Sequence, residues 1–232
     1  MIRDIRPTRP NPESENPQED AEIFEKFRRT KTKVAIQKDG ELTDISRTIL
    51  ANSYGIVVPT KDTKSKRLVG VSEDGECGFV YARNKSICDL VANGAVDMAV
   101  VGTDRLIEDG VEDRVNIVAS YKYAYAWPLI LATRADSGIT DPGQIRRIAT
   151  QYPVITERYF AAMGVEGLDI IPTIGGTELY PYLDYNGPVD AVVDMSVTGR
   201  SLQAHNLLPW TPSIGDIYPV LIQSKGEQYQ NA

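Results

Sequence analysis

Val189-Asp190-Ala191-Val192-Val193-Asp194-Met195-Ser196-Val197-Thr198-Gly199-Arg200-Ser201-Leu202 decides how this chain is read. An apolar strand carrying two acids runs into a small polar turn with one glycine, and the turn opens a helix. Strand, turn and helix in that order form the repeating unit of an α/β sheet, and ligands bind beyond the C-terminal ends of such strands. Backbone N–H groups at a helix start point outward with partial positive charge, so a phosphate docks there. Thr198 and Ser201 add hydroxyl donors. Asp190 and Asp194 suit ribose hydroxyls or a cation instead. Taken alone, the same residues also describe an ordinary capped helix start, and both readings stay open.

Strand-like and helix-like runs alternate on both sides of this stretch. Val34-Ala35-Ile36 reads as a strand. A helix starting at Thr43 places Ile45, Ile49 and Leu50 on one face, with Gly55 past its end. Extended pieces, Ile56–Val58 and Arg67–Val71, flank a loop carrying Lys61, Lys64 and Lys66, which reads as solvated surface. Gly78–Ala82 is a strand. Asn84 caps a helix with Ile87, Leu90 and Val91 inward and Gly94 beyond it. Met98–Val101 is a buried strand ending at Gly102-Thr103-Asp104. The Tyr121, Tyr123, Tyr125 alternation reads as one face of a strand, and Asp109-Gly110 with Glu112-Asp113 as an exposed turn. Further on come a strand at Ile145–Ala149, a helix opened by Pro153 and closed by Gly164, and a strand at Leu168–Pro172. A short helix at Gly176–Leu183, the strand Val189–Asp194 and a last strand Ser213–Gln223 complete the order.

This alternation predicts an α/β fold with largely parallel sheets. Four polar turns then lie at C-terminal strand ends: Gln37–Leu42, Gly102–Asp104, Gly175-Gly176-Thr177-Glu178 and Asp194–Ser201. The paired glycines allow close backbone approach to a ligand, and Glu178 is placed to accept from a sugar hydroxyl.

Composition narrows the function classes. The chain has 232 residues, 42% apolar and 25% charged, enough for a sizeable core. A net charge of -7 argues against a general nucleic-acid binder. Two cysteines, Cys77 and Cys88, make neither a disulfide framework nor a metal site. His205 is the single histidine, which excludes a histidine-based zinc site or triad, and it reads as a surface residue. No apolar run is long enough to span a membrane and no apolar leader opens the chain, so a cytoplasmic location is expected. Residues 1–30 are an extension too polar to build a core. Within it Ala21–Arg29 reads as a short helix with Ile23, Phe24 and Phe27 on one side, docking on the body or on a partner.

Taken together the turns resemble one family, the ATP phosphoribosyltransferases that open histidine biosynthesis. The resemblance runs from Val34 to Gln223. Gln37-Lys38-Asp39-Gly40-Glu41-Leu42 is similar to the family's Lys-x-Gly-Arg-Leu turn. Arg83 ahead of a helix, Gly94–Asp104, Ile148–Pro153 and Gly175–Pro181 follow in order. Asp194–Leu202 is similar to the family's Asp-Leu-Val-Ser-Thr-Gly-x-Thr-Leu phosphoribosyl loop.

The resemblance implies two α/β lobes with largely parallel or mixed sheets and a cleft between them, an architecture shared with periplasmic solute-binding proteins. The expected division is an extension at 1–30, a first lobe at 31–118 plus 208–232, and a second lobe at 119–207. The implied reaction is attack of adenine N1 of ATP on C1 of phosphoribosyl pyrophosphate, with release of pyrophosphate. Thr198, Gly199, Arg200 and Ser201, with Gly176 and Thr177, would bind the phosphorylated sugar. Asp194 and Glu178 would hold ribose hydroxyls, Lys38 and Arg83 would face pyrophosphate or ATP phosphates, and Asp104 would meet the nucleotide. Mg²⁺ would travel with the pyrophosphate rather than sit in a protein cage. The family's short form is implied, acting as a homodimer with a regulatory subunit related to histidyl-tRNA synthetase.

Three positions depart from the pattern. Glu41 stands where the family carries arginine, Val197 replaces a serine of the phosphate loop, and Trp127-Pro128 replaces a small residue or cysteine followed by a basic one. They leave room for a divergent member with another acceptor, or for a non-catalytic anion-binding or partner subunit.

Overall fold

The computed structural model describes residues 17–59, 68–183, 186–196 and 198–226. Two mixed sheets organise the chain. The first contains β1 (Thr32–Gln37), β2 (Val69–Val71), β3 (Cys77–Ala82), β4 (Met98–Gly102), β5 (Val115–Ser120) and the final strand β12 (Pro219–Ser224). Its order is β2-β3-β1-β4-β12-β5, with β1 parallel to β3 and β4 and the remaining pairs antiparallel. The second contains β6 (Trp127–Arg134), β7 (Arg147–Thr150), β8 (Asp169–Pro172), β9 (Ala191–Met195) and β10 (Leu207–Pro209) in the order β10-β6-β9-β7-β8. Strand β11 (Gly215–Ile217) also pairs with β6. Parallel pairing holds β7 between β8 and β9.

Six α-helices are described: α1 (Pro17–Arg29), α2 (Glu41–Tyr54), α3 (Asn84–Ala92), α4 (Thr103–Glu108), α5 (Pro153–Ala162) and α6 (Arg200–Ala204). Both faces of the first sheet are covered, as the strand alternation requires. Val34, Ile36, Phe79 and Tyr81 meet Ile45, Ile49 and Leu50 of α2. Ala35, Ala99 and Val101 meet Ile87, Cys88 and Val91 of α3 on the other side. In the second lobe Phe160 of α5 packs on Leu129, Ile148, Ala191 and Val193. Opposite it, Leu202 of α6 packs with Ala132, Ala149 and Val192.

The chain passes between lobes after β5 and again before β12. Trp127 packs against cores of both lobes, so this departure from the family pattern fills the junction with apolar surface.

Several expectations are corrected. Residues 207–217 stay on the second sheet through β10 and β11, and only β12 returns to the first, so the return falls near Tyr218 rather than at 208. Tyr121–Tyr125 form no strand. Ala124 and Tyr125 donate backbone N–H bonds to the Tyr121 carbonyl in a turn, and Tyr123 is fully exposed. Asp109 is not an open turn residue but pairs with Arg105, both largely buried. Arg83, not Asn84, holds the position before α3. The loop lysines and Val197 lie outside the described residues.

Helix α1 is longer than expected and lies against β2 and β3. Ile23 and Phe27 are half-buried whereas Phe24 is half-exposed. The contact depends on Gly78. A Cβ there would lie 2.5 Å from Thr30 Oγ1 and 2.8 Å from a Phe27 ring carbon. Gly78→Ala is therefore expected to cost about 1–3 kcal/mol by overpacking. It should also speed proteolysis near Arg29, as a melting curve and a limited-digestion time course would record.

Candidate functional site

The C-terminal ends of the parallel strands in both sheets lead into the four polar turns. From the second sheet, β8 delivers Gly175 and Gly176, the latter in the left-handed region at φ 61°, and a 3-10 helix follows over Thr177–Tyr182. Thr177 is buried and its hydroxyl lies 2.8 Å from that of Thr173. Strand β9 ends in Asp194 and leads through Ser196 and Thr198 into α6.

Four predicted residues converge here. The Ser201 hydroxyl donates to Glu178 Oε1. The Glu178 charge and the Thr177 hydroxyl both act on the Asp194 carboxyl. Burial pushes the Asp194 carboxyl up to about 6. The Glu178 charge adds to that rise, while the bond from its neighbour's N–H (Met195 N to Oδ1, 2.8 Å) and the Thr177 hydroxyl oppose it. Two carboxylates and two hydroxyls beyond the ends of β8 and β9, on either side of β7, form an acceptor-rich patch suited to vicinal hydroxyls.

The loop beside it is partly self-satisfied. Gly199 N–H donates to Ser196 Oγ at 3.1 Å, and Arg200 N–H to Thr198 Oγ1 at 3.4 Å. Gly199 takes φ 67°, the left-handed conformation that turns the chain into α6. Helix α6 has only five residues, so its dipole is small and the polar groups at this turn are chiefly the hydroxyls and loop N–H groups. Ser196 was quoted in the sequence motif but given no role; its bond to Gly199 makes it part of the loop.

From the first sheet, Lys38 follows β1 and is half-buried, and Arg83 follows β3 and is exposed. Among the described residues neither forms an ion pair, and neither touches the Glu178–Asp194 patch. Glu41 is exposed in the first turn of α2, where an acid favours the helix N-terminus. Asp104 opens α4, and burial raises its carboxyl above the ordinary range. Gly102 makes room for it, since a Cβ there would lie 2.2 Å from Asp104 Oδ1.

Tyr152 joins the two edges. Burial, then the charges of Asp104 and Asp194, raise its phenol. Its ring thus stands in the fields of one acid from each lobe. Glu108 of α4 reaches the same turn, accepting from Val154 N–H at 3.1 Å and Ile155 N–H at 2.9 Å. Sequence reasoning passed over Tyr152 and Glu108. The available signal was the Asp104–Glu108 spacing of four, which puts both acids on one face of a helix.

Two α/β lobes, with an acid pair and a hydroxyl-rich turn at the strand ends of the second, make up the fold and its candidate site. A sequence profile described as ATP phosphoribosyltransferase (HisG) matches residues 83–232, and the chain belongs to that family. An ATP phosphoribosyltransferase of Methanothermobacter thermautotrophicus is 31% identical over 180 residues, 76% of this chain and 59% of that one. One from Methanococcoides burtonii is 32% identical over 152 residues, 65% of this chain and 51% of its own. The chain therefore spans about half to three-fifths of the length of these curated relatives.

Among solved structures, the ATP phosphoribosyl transferase (HisG:HisZ) complex from Thermotoga maritima superposes with a TM-score of 0.64 at 26% identity, covering 83% of this chain and 87% of that one. A lysine-complexed binding component of an ABC transporter from Wolinella succinogenes shares the fold at TM-score 0.50 and 14% identity, over 87% of this chain and 85% of its own. No described helix is long and apolar enough to cross a membrane.

Proposed function

We propose that the chain transfers the phosphoribosyl group of phosphoribosyl pyrophosphate to N1 of ATP, the first step of histidine biosynthesis. The observation that carries this reading is the convergence of Thr177, Glu178, Asp194 and Ser201 beside the Thr198–Arg200 turn. Glu178 and Asp194 accept from the ribose hydroxyls, and Thr198, Gly199, Arg200 and Ser201 hold the 5-phosphate. The adenine N1 lone pair forms the new bond to C1. The C1–O bond to pyrophosphate breaks, its electron pair leaves on the pyrophosphate oxygen, and C1 inverts. The developing cationic ribose lies against two carboxylates, which stabilise it electrostatically. Lys38 and Arg83 meet the phosphates from the facing lobe, and Asp104 meets the nucleotide.

The metal ion is Mg²⁺ carried by the pyrophosphate. Among the described residues no group of three or more metal-binding side chains occurs. A homodimer and a regulatory subunit are assigned by analogy with the two-component complex, and the location is cytoplasmic.

The double replacement Thr198→Ala with Ser201→Ala is expected to weaken phosphoribosyl pyrophosphate by roughly 100-fold, as loss of two charge-assisted hydrogen bonds requires. ATP affinity should change by less than about 3-fold, a span set by losing no direct contact. Calorimetric titration with each substrate checks this, and equal losses for both would remove the loop assignment.

A further inference from the structure

We propose that Glu108 is a positioning residue: from the first lobe it caps α5 of the second lobe and thereby holds Tyr152 in the cleft. The claim concerns how the cleft is assembled and rests on the proposed transfer only for its kinetic consequence.

The backbone accounting at the start of α5 is complete. Four N–H groups at a helix start lack intrahelical partners. Pro153 has none to offer. Tyr152 N–H donates to Thr150 Oγ1 at 2.9 Å, and the first intrahelical bond follows, from Thr156 N–H to the Tyr152 carbonyl at 3.0 Å. The remaining donors are Val154 and Ile155, and Glu108 accepts from both, one on each carboxylate oxygen. The position before a helix is ordinarily held by Ser, Thr, Asp or Asn, whose side chain does this work. Here that position is Tyr152, whose own side chain makes no capping bond. The capping acceptor comes instead from the facing lobe.

The helix that supplies the accepting carboxylate is itself anchored. Thr103, which begins α4, donates its N–H to the Tyr218 carbonyl at 3.0 Å and accepts from Tyr218 N–H at 3.2 Å through its hydroxyl. Tyr218 lies where the chain returns from the second sheet to the first. Asp104 and Glu108 are one helical turn apart on one face of α4, and Glu108 meets the backbone just past Tyr152. A second link, Arg158 of α5 to Glu112 at 2.9 Å and 3.2 Å, is solvent-exposed and contributes little by itself. The capping carboxylate therefore fixes the helix start that carries Tyr152.

The test uses the full chain and three variants, Glu108→Ala, Glu108→Gln and Glu108→Asp, with two readouts. Amide hydrogen exchange over 152–158 should accelerate by roughly 10–100-fold for Val154 and Ile155 in Glu108→Ala, as local opening of a frayed first turn would give. Exchange in α3 should stay unchanged. Steady-state kinetics should show kcat lowered by roughly 10–100-fold, the penalty of a displaced cleft group. KM for phosphoribosyl pyrophosphate should stay within about 3-fold, because the Glu178–Asp194 patch is untouched. Glu108→Gln keeps one acceptor and should fall between, and Glu108→Asp should restore part of kcat; these two carry the test if the alanine variant does not fold. Unchanged exchange at Val154 and Ile155 would overturn the cap. Accelerated exchange with wild-type kcat would overturn the positioning role. A wild-type chain without transferase activity would instead count against the proposed function, while the exchange readout still decides the cap.

Discussion

Asp194→Asn is expected to lower kcat/KM for phosphoribosyl pyrophosphate by roughly 10²–10³-fold, the scale of losing one preorganised group that meets developing charge. The same replacement should raise the melting temperature at pH 7.5. Both effects have one cause. Asp194 is half-buried next to Glu178, and its carboxyl is pushed up to about 6 from an ordinary value of 3.8. A carboxyl that binds its proton more tightly in the folded state favours folding most fully below the unfolded pKa. That contribution is lost as pH rises through about 6. At neutral pH the ionised side chain is therefore a burden on the fold, and asparagine removes the charge while keeping the shape. The stability gain should shrink to nothing near pH 4, where wild type is itself protonated. Activity moves the opposite way, because accepting from ribose hydroxyls requires the carboxylate. kcat/KM in the wild type should rise through pH 6, and the variant should lack that inflection. Melting curves and initial rates across pH 4–8 check both limbs. A variant less stable than wild type at pH 7.5 would show that Asp194 is a structural anion instead.

Gly102→Ala is the second large effect. The added methyl would sit 2.2 Å from Asp104 Oδ1 and 3.7 Å from Ile217 Cγ2. The nearer atom is the end of a side chain, so the carboxylate swings away at small cost in stability and leaves its place against Tyr152. Gly102 has no unusual φ, so backbone strain does not enter. The expected result is a fall in kcat/KM for ATP of roughly 10–100-fold, as misplacement of one cleft group brings. The melting temperature should change by no more than a few degrees, because an adjustment of this size costs on the order of 1 kcal/mol. Rate measurements at saturating phosphoribosyl pyrophosphate, paired with thermal melts, check it. Wild-type kinetics would place Asp104 outside the nucleotide site.

Much of this molecule was legible in its sequence. Periodicity places α2 and α3 because each has an apolar stripe and a clear stop, such as Gly55 in the left-handed region after α2, whereas Pro153 and Gly164 bracket α5. The turn after β9 was legible because its residue types mark it: a glycine that takes the left-handed conformation, hydroxyls on either side and an acid at the strand end. The acid pair was found one member at a time, from Asp194 at a strand end and Glu178 after two glycines. Their contact through Ser201 is tertiary, with 23 residues separating Ser201 from Glu178.

What the sequence concealed was also tertiary. The Tyr121–Tyr125 alternation resembles a strand because tyrosines favour strands, yet no neighbouring strand remains to pair with it where the chain leaves the first sheet. Ser213–Gln223 reads as one strand, but its two halves belong to different sheets and break at Tyr218. Tyr152 hides as an ordinary residue before a proline-led helix. Its value comes from the acids on either side, which arrive from other elements. Glu108 carries no motif at all, since the groups it caps lie 46 and 47 residues away in the chain.

The most direct test of the transferase assignment is a single assay on the chain alone. Phosphoribosyl pyrophosphate, ATP and Mg²⁺ are mixed, and pyrophosphate release is followed together with the ultraviolet change of an N1-substituted adenine. All the acids and hydroxyls assigned to the reacting sugar lie on this chain, so release should depend on ATP and match adduct formation one for one. Absence of both signals, or release without the adduct, would contradict the assignment.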